Sequence, residues 1–280
     1  MEVFYETNEV VRLRITTEFL SMLERHRIFY QRVDDPKAPP VPLEKRRWKP
    51  GDVLAFRKDC VLEPYTTIGA GNSIFSVGSF GSIMSELPLN TKIGRYCSIG
   101  PGVKPLGFRH PLHAVSMSSA AFNPRREFVH SYLRDFEGTF SASATFAPVS
   151  TPQPQFRPLS IGHDVWIGAY VSLPGGVTIG NGAVIASNTV VTKDVPSYAI
   201  LGGNPGKIIK FRFEDKIQAD LEAIQWWNYE LSDLHAIGMN DPAAFCAAFP
   251  SRRVHLREYK PRSVDIWAEC QQLMRSSAWP

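Results

Sequence analysis

The chain has 280 residues, enough for one or two domains, and its 44% hydrophobic content is that of an ordinary globular protein. Its formal net charge of +4 is small, so we expect no nucleic-acid partner. No apolar run approaches the roughly 18 residues of a membrane span, and the start of the chain lacks a signal-peptide pattern. The four cysteines have neither metal-site nor disulfide spacing, which favours a reducing, cytoplasmic location and no bound metal.

Residues 1–52 are predicted to form a helical extension followed by a linker. Apolar residues recur at roughly helical spacing over 10–33, and Thr16 or Thr17 suits the start of a helix. The prolines that follow interrupt this pattern.

A six-residue rhythm dominates from Ile161 onward, where the sequence reads IGHDVW, IGAYVS, LPGGVT, IGNGAV, IASNTV and VTKDVP. Each block opens on an aliphatic residue and carries a small or β-branched residue four places later. A period this short is typical of a hexapeptide β-helix, in which three faces form one triangular coil and both kinds of residue point inward. We attribute the glycines in the second position, at 162, 168 and 180, to turn geometry.

The same rhythm runs earlier, from Leu62 to Lys104, with a slip near 80–87 that indicates a bulge or loop. It vanishes between 105 and 158, and long non-repeating stretches inside compact domains are usually functional or disordered. Because this one leaves a solenoid and returns to it, we predict an excursion loop that builds a site. The fold class is therefore mainly β, with a β-helix domain over 53–210 and a helical tail over 211–280.

Three segments carry a resemblance beyond the repeats themselves. They are KIGRYCSIGPGV at 92–103, IGHDVWIG at 161–168, and VVTKDVPSYAILGGNPGKIIKFRF at 190–213, which leads into IQWWN at 224–228. In this order they resemble the hexapeptide acyltransferases, and within them the xenobiotic acetyltransferase group, over roughly residues 60–230. The resemblance implies a left-handed β-helix, acetyl transfer from acetyl-CoA to a hydroxyl or amine, and a homotrimer with sites between subunits.

The resemblance also places the catalytic histidine in the excursion loop, which here gives His110 in GFRHPLHAV. An imidazole with a pKa near 6.5 can accept the proton of an attacking alcohol and return it later, so no acyl-enzyme is required. His113 is the rival base and is expected to contact the acceptor or to support His110. Trp166, at an outward repeat position, is expected near the thioester or a subunit boundary.

The acetyl-CoA contacts implied by the resemblance follow the later coils. Ala169 and Ser187 correspond to positions along the pantetheine arm, and Thr192 and Lys193 to the nucleotide end. Lys207 and Lys210 are expected to bind the CoA phosphates as mobile cations.

Two acceptors suit this chemistry. The His-Pro loop favours an O-acetyltransferase for a sugar, such as a surface-polysaccharide precursor, whereas the Trp-Trp-Asn segment favours an antibiotic acetyltransferase of the chloramphenicol or streptogramin type. Outside this class, a non-catalytic scaffold is the alternative. A β-helix carbonic anhydrase is disfavoured because the H-x₄-H zinc spacing is missing, and a sugar nucleotidyltransferase because no Gly-rich nucleotide domain precedes the repeats.

Overall fold

The computed structural model describes residues 1–30, 46–107, 109–123, 125–136 and 157–277. It contains two compact units, one formed by Met1–Pro105 with Arg157–Pro280 and the other by Leu106–Phe156. Among the described residues, no helix is long and apolar enough to cross a bilayer.

The regular elements of the first unit are mainly short strands. In chain order the described strands are β1 (Glu2–Glu6), β2 (Val10–Arg14), β3 (Ile28–Phe29), β4 (Val53–Arg57), β5 (Val61–Leu62), β6 (Thr66–Ile68), β7 (Ser73–Ile74), β8 (Ser76–Val77), β9 (Ser82–Ile83), β10 (Lys92–Ile93), β11 (Ser98–Ile99), β12 (Lys104–Pro105), β13 (Ser160–Ile161), β14 (Trp166–Ile167), β15 (Ser172–Leu173), β16 (Thr178–Ile179), β17 (Val184–Ile185), β18 (Ala199–Gly202), β19 (Lys207–Phe211) and β20 (Val264–Asp265). The helices are α1 (Thr17–Arg25), α2 (Ser119–Phe122), α3 (Glu127–Asp135), α4 (Asp215–Ile224), α5 (Leu231–Ile237), α6 (Pro242–Arg252) and α7 (Ile266–Ser277).

Most of these strands pair in parallel with their equivalents in the next coil, as on the faces of a β-helix. The first of four sheets runs β20-β5-β8-β10-β13-β16, and the second, of eight strands, runs β3-β6-β9-β11-β14-β17-β18-β19; β20 and β19 are antiparallel to their neighbours. The other two sheets are β1-β2-β4-β7 and the pair β12-β15. In the second sheet Ile99, Ile167 and Ile185 lie in register, so the residue that opens one hexapeptide stacks on its equivalent in the next coil.

The interior of the coils is filled as the repeat predicts. All the residues that open the later hexapeptides are buried, and so are all the small or β-branched residues four places on: Ile161, Ile167, Leu173, Ile179, Ile185 and Val191, with Val165, Val171, Val177, Ala183, Thr189 and Val195. Since one coil cannot cover its own interior, this core depends on stacking.

The explanation by turn geometry is wrong for the second-position glycines. None of Gly162, Gly168 and Gly180 has a positive φ, and the left-handed residues lie two places later, as at Asp164 and Tyr170. Instead, a Cβ on Gly168 would lie 2.6 Å from the backbone nitrogen of Ser187 in the next coil. Glycine is therefore needed here for the close approach of two backbones rather than for a dihedral angle.

The N-terminal segment also differs from the prediction, because residues 10–14 form a strand. The side chains alternate, with Val11 and Leu13 fully buried and the arginines between and after them exposed, and β2 pairs with both β1 and β4. A five-residue segment is too short for a helical spacing to be told from this period of two. The helix begins only at Thr17, after the Thr16 cap. Most of the predicted linker lies outside the described residues.

The C-terminal segment packs its own aromatic cluster beside the last coils. Trp226, Trp227, Tyr229, Phe245 and Phe249 are buried together with Ile217 and Leu221 of α4. Asp241 caps α6 by accepting the Ala243 and Ala244 N–H groups, each at 3.0 Å. Residues 264–265 pair with the first coil as β20, so the tail predicted to be helical also contains a short strand, and α7 begins directly after it.

Candidate active site

The side chain of His110 lies in the second unit with one ring nitrogen engaged. Its Nδ1 is 2.6 Å from the carbonyl oxygen of Met117, and its ring meets the edge of Phe122 at 5.0 Å. A carbonyl oxygen only accepts, so Nδ1 must carry the hydrogen, and Nε2 keeps its lone pair. In the neutral ring, this contact selects the tautomer with an unprotonated Nε2, and the side chain is exposed.

The local sequence explains this orientation. Ala114 donates its N–H to the Pro111 carbonyl in a turn, and the chain then reverses toward α2. Ser118 caps α2 by accepting the Ala120 N–H at 3.2 Å, which fixes the helix that carries Phe122. His113 lies exposed within the turn, and His130 lies exposed on α3.

In the first unit, Ala169 and Ser187 are neighbours on successive coils. The Ala169 N–H donates to the Ser187 Oγ at 3.2 Å, and the Asn188 N–H donates to the Ala169 carbonyl at 2.9 Å. The Ser187 hydroxyl accepts in this arrangement, so its own hydrogen stays available for a ligand. This hydroxyl is the group at these two positions best able to donate to the polar part of an extended ligand.

A pocket of about 440 Å³ at the end of the coils brings together three of the predicted residues, Thr192, Lys193 and Lys207. Asp194 also lines it and was missed, although it follows Lys193 directly in the sequence. Its carboxylate accepts the Thr178 N–H at 2.8 Å. The hydrogen bond orients the Asp194 carboxylate without removing its charge, and two lysines face one acid in the pocket wall.

Lys210 does not line this pocket, yet it shares a sheet face with Lys207. Strand β19 pairs antiparallel with β18, and a register shift places Lys207 opposite Gly202 and Lys210 opposite Ile200. Positions 200 and 202 lie on one face of β18, and directly opposed residues share a face, so the shift brings both lysines to the same side. Among the described residues, no carboxylate lies within ion-pair distance of Lys193, Lys207 or Lys210.

Trp166 projects outward from β14, and its side chain is 58% exposed. Its neighbours in the sheet are Ser98 and Val184, both too small to cover an indole ring. Tyr170, in the following turn, is similarly exposed. Each of these two rings therefore offers exposed aromatic area on the outside of the coils.

His163 serves the architecture rather than the chemistry. Its Nδ1 accepts the Arg95 N–H at 3.0 Å, and its ring stacks on Trp227 at 4.8 Å with an interplanar angle of 5°. Burial, together with the nearby Arg95 charge, lowers the pKa of His163 to about 4. The imidazole is thus neutral at pH 7, with its acceptor nitrogen occupied.

This arrangement predicts an acid-sensitive contribution to folding. Because the folded-state pKa lies below the ordinary 6.5, the contribution is complete above pH 6.5 and is lost as the pH falls toward 4. Because His163 is partly exposed, we expect its protonation to lower the free energy of unfolding by about 2 kcal/mol over this pH range. Urea unfolding at pH 7 and pH 4.5 should show it in the wild type, and a smaller loss in His163→Asn, whose amide oxygen can still accept the Arg95 N–H. The exposed His235→Asn is the control and should keep the wild-type pH dependence; an equal loss in His163→Asn would contradict the assignment.

The four cysteines lie in the core of the protein. Within the described ranges, no group of three or more His, Cys, Asp or Glu residues is placed to hold a metal ion. All four cysteines are free and buried. Burial raises the pKa of the Cys97 thiol to about 12, and its Sγ lies 3.1 Å from the Gly162 carbonyl oxygen, as suits a core residue.

Parallel coils with a six-residue period define the class as a hexapeptide-repeat β-helix protein, and residues 158–193 match the family model described as bacterial transferase hexapeptide (six repeats). A chloramphenicol acetyltransferase of Agrobacterium fabrum is 49% identical over 151 residues, which are 51% of this chain and 62% of that protein. A chloramphenicol acetyltransferase of Klebsiella aerogenes is 37% identical over 144 residues, 51% of this chain and 62% of that protein. A probable macrolide acetyltransferase of Lysinibacillus sphaericus is 37% identical over 137 residues, 49% of this chain and 68% of that protein.

The chain belongs to the hexapeptide-repeat acetyltransferase family. It spans only about three fifths of the length of the first curated relatives that it matches.

Proposed function

We propose that the protein is an acetyl-CoA-dependent O-acetyltransferase in which His110 is the general base. The observation that carries this proposal is the Nδ1 contact of His110 with the Met117 carbonyl, which leaves Nε2 as the basic nitrogen. Nε2 takes the proton of the acceptor hydroxyl as its oxygen attacks the thioester carbonyl carbon. The same proton then passes to the departing CoA sulfur, so His110 ends each turnover neutral.

The unpaired lysines support acetyl-CoA as the donor. A CoA molecule carries several phosphate charges, and Lys193 and Lys207 line one pocket without a carboxylate partner among the described residues. Charge-assisted hydrogen bonds to phosphate suit such residues. The Ser187 hydroxyl is the donor that we assign to the pantetheine arm.

Removing these charges should therefore weaken acetyl-CoA binding. We expect Lys193→Ala and Lys207→Ala each to raise the KM for acetyl-CoA by about tenfold, since a hydrogen bond to a charged group contributes about 1.5 kcal/mol or more. The effect should shrink as ionic strength rises, and kcat should change little. Lys216→Ala is the matched control, because Lys216 is an exposed lysine paired with Asp220 on α4. An unchanged KM in both pocket variants would remove these lysines from the donor site.

The acceptor has two candidates, each with its own support. The relatives named above are chloramphenicol and macrolide acetyltransferases, which favours an antibiotic hydroxyl. The His-Pro sequence at His110 favours a sugar hydroxyl. Acetylation of chloramphenicol, a macrolide and a set of oligosaccharides, followed by CoA release, distinguishes them through kcat/KM. Turnover of the drugs alone would exclude the sugar acceptor, and no transfer to any hydroxyl would favour the scaffold alternative.

A left-handed winding and a homotrimer accompany this proposal. The flat outer faces of a β-helix suit lateral association, and the uncovered Trp166 and Tyr170 rings offer apolar area for it. Light scattering should give three times the 31.4 kDa mass of one chain. A monomer at working concentration would contradict the trimer.

A further inference from the structure

A second pocket, of about 620 Å³, lies in the first unit away from the residues discussed so far. Its wall combines the segment after α1, the start of β6 and the segment before α7. The residues that matter for its chemistry are Arg25, Arg27, Tyr65, Glu230, Arg262 and Glu269.

This pocket is remote from the lysine pocket. Its residues Arg27 and Tyr65 directly precede β3 and β6, which lie at one end of the eight-stranded sheet, whereas Lys207 begins β19 at the other end. The strand order between them is β3-β6-β9-β11-β14-β17-β18-β19. At about 4.8 Å for each strand step, the two ends lie roughly 30 Å apart. One small ligand cannot occupy both pockets.

The charges of this pocket favour an anion. In the part of the chain that the structure describes, none of Arg25, Arg27 and Arg262 forms an ion pair or a side-chain hydrogen bond. The wall also contains two acids, Glu230 and Glu269, and the Glu269 Oε1 lies 3.5 Å from the His26 Nε2. The wall thus carries three guanidinium groups against two carboxylates, and guanidinium groups that form no ion pair can bind a phosphate bidentately.

The aromatic part of the wall favours a planar group on the same ligand. The Tyr65 ring stacks on Phe80 at 5.8 Å with an interplanar angle of 4°, and Phe80 stacks on Tyr96 at 4.8 Å. Tyr65 ends this row of rings and is 51% exposed, so one face is held by Phe80 while the side chain stays open to the pocket. A ring that is fixed on one side can stack on a ligand base at little conformational cost.

We propose that this pocket is a second ligand site that binds a nucleoside phosphate, separately from acetyl-CoA. The arginines bind the phosphates and Tyr65 stacks on the base. Glu230 accepts hydrogen bonds from the ribose hydroxyl groups. The inference does not depend on the proposed acetyl transfer, because the site shares no residue with it.

Calorimetric titration of the full chain with ADP tests the site. With CoA present in excess to occupy the donor site, we expect ADP to bind at one site per chain. The variant that combines Arg25→Gln with Arg262→Gln should weaken this binding at least tenfold. Tyr65→Asn, which suits the left-handed backbone at this position (φ 62°), should weaken ADP more than pyrophosphate.

The variant that combines Lys193→Ala with Lys207→Ala is the control and should bind ADP as the wild type does. Circular dichroism melting establishes that each variant is folded. The proposal is overturned if ADP does not bind in the presence of CoA, or if folded arginine variants bind it equally well. It is also overturned if the lysine variant abolishes ADP binding, because ADP then occupies the donor pocket.

Discussion

Replacing His110 with asparagine is expected to lower kcat for acetyl transfer by about 10²–10⁴-fold, with little change in the KM for acetyl-CoA. The Nδ2 of asparagine takes the place of the histidine Nδ1 and can still donate to the Met117 carbonyl, which His110 contacts at 2.6 Å. The side chain thus keeps its anchor and loses only the basic Nε2. Release of the CoA thiol, followed with a thiol reagent under saturating acetyl-CoA, measures the loss.

Two further histidines in the same unit serve as comparisons. His130→Asn changes an exposed residue of α3 and should leave kcat unaltered. His113→Asn separates the rival base from the predicted one, because only the true base should cost two or more orders of magnitude in kcat. Wild-type kcat in His110→Asn, together with a large loss in His113→Asn, would transfer the role to His113.

The second large effect concerns the ion pair between Glu63 and Arg95. The Arg95 Nε and Nη2 donate to the two Glu63 carboxylate oxygens at 2.7 and 2.8 Å, and both side chains are largely buried. Burial opposes ionisation of Glu63, but the hydrogen bonds from Arg95 prevail, so the pKa of Glu63 lies below its ordinary value. The pair is therefore charged on both sides at neutral pH.

Glu63→Ala should lower the free energy of unfolding by about 3–5 kcal/mol, because it leaves a buried guanidinium without its counter-ion. Arg95 also donates to the Trp227 carbonyl at 3.0 Å and to the Asn228 Oδ1 at 3.1 Å, so the loss should loosen the C-terminal segment from the coils. Urea unfolding with intrinsic tryptophan fluorescence reports both changes, since Trp227 lies in this contact.

The matched control is Glu9→Ala, which removes an exposed partner of Arg57 and should cost less than about 1 kcal/mol. Replacing both members of the buried pair, Glu63→Leu with Arg95→Met, should cost less than Glu63→Ala alone, because no unpaired charge remains. A loss below about 1 kcal/mol in Glu63→Ala would show that water screens this pair.

The structural contacts of the Trp-Trp-Asn segment could not be predicted from the sequence. The segment contributed to the family resemblance and to the antibiotic hypothesis, yet its described contacts are structural. Trp227 stacks on His163, Trp226 packs against Tyr96, and Asn228 accepts from Arg95. The Arg95 contacts join positions more than 130 residues apart and leave no local pattern, so the sequence alone could not show what this segment holds in place.

From the sequence alone, the period of six determined the β-helix, its inward residues and the interruption that contains His110. The reason is that every coil of a solenoid buries the same repeat positions, so the packing appears as a periodic pattern in the sequence. Only the tertiary structure decided what depends on neighbours in space. It assigned the second-position glycines to close contact between coils, and it turned Lys207 and Lys210 to one face through a register shift. It also oriented His110 through the Met117 carbonyl. The physical reason is that each of these is set by backbone atoms of another segment, whose positions are not encoded in the local spacing of side chains.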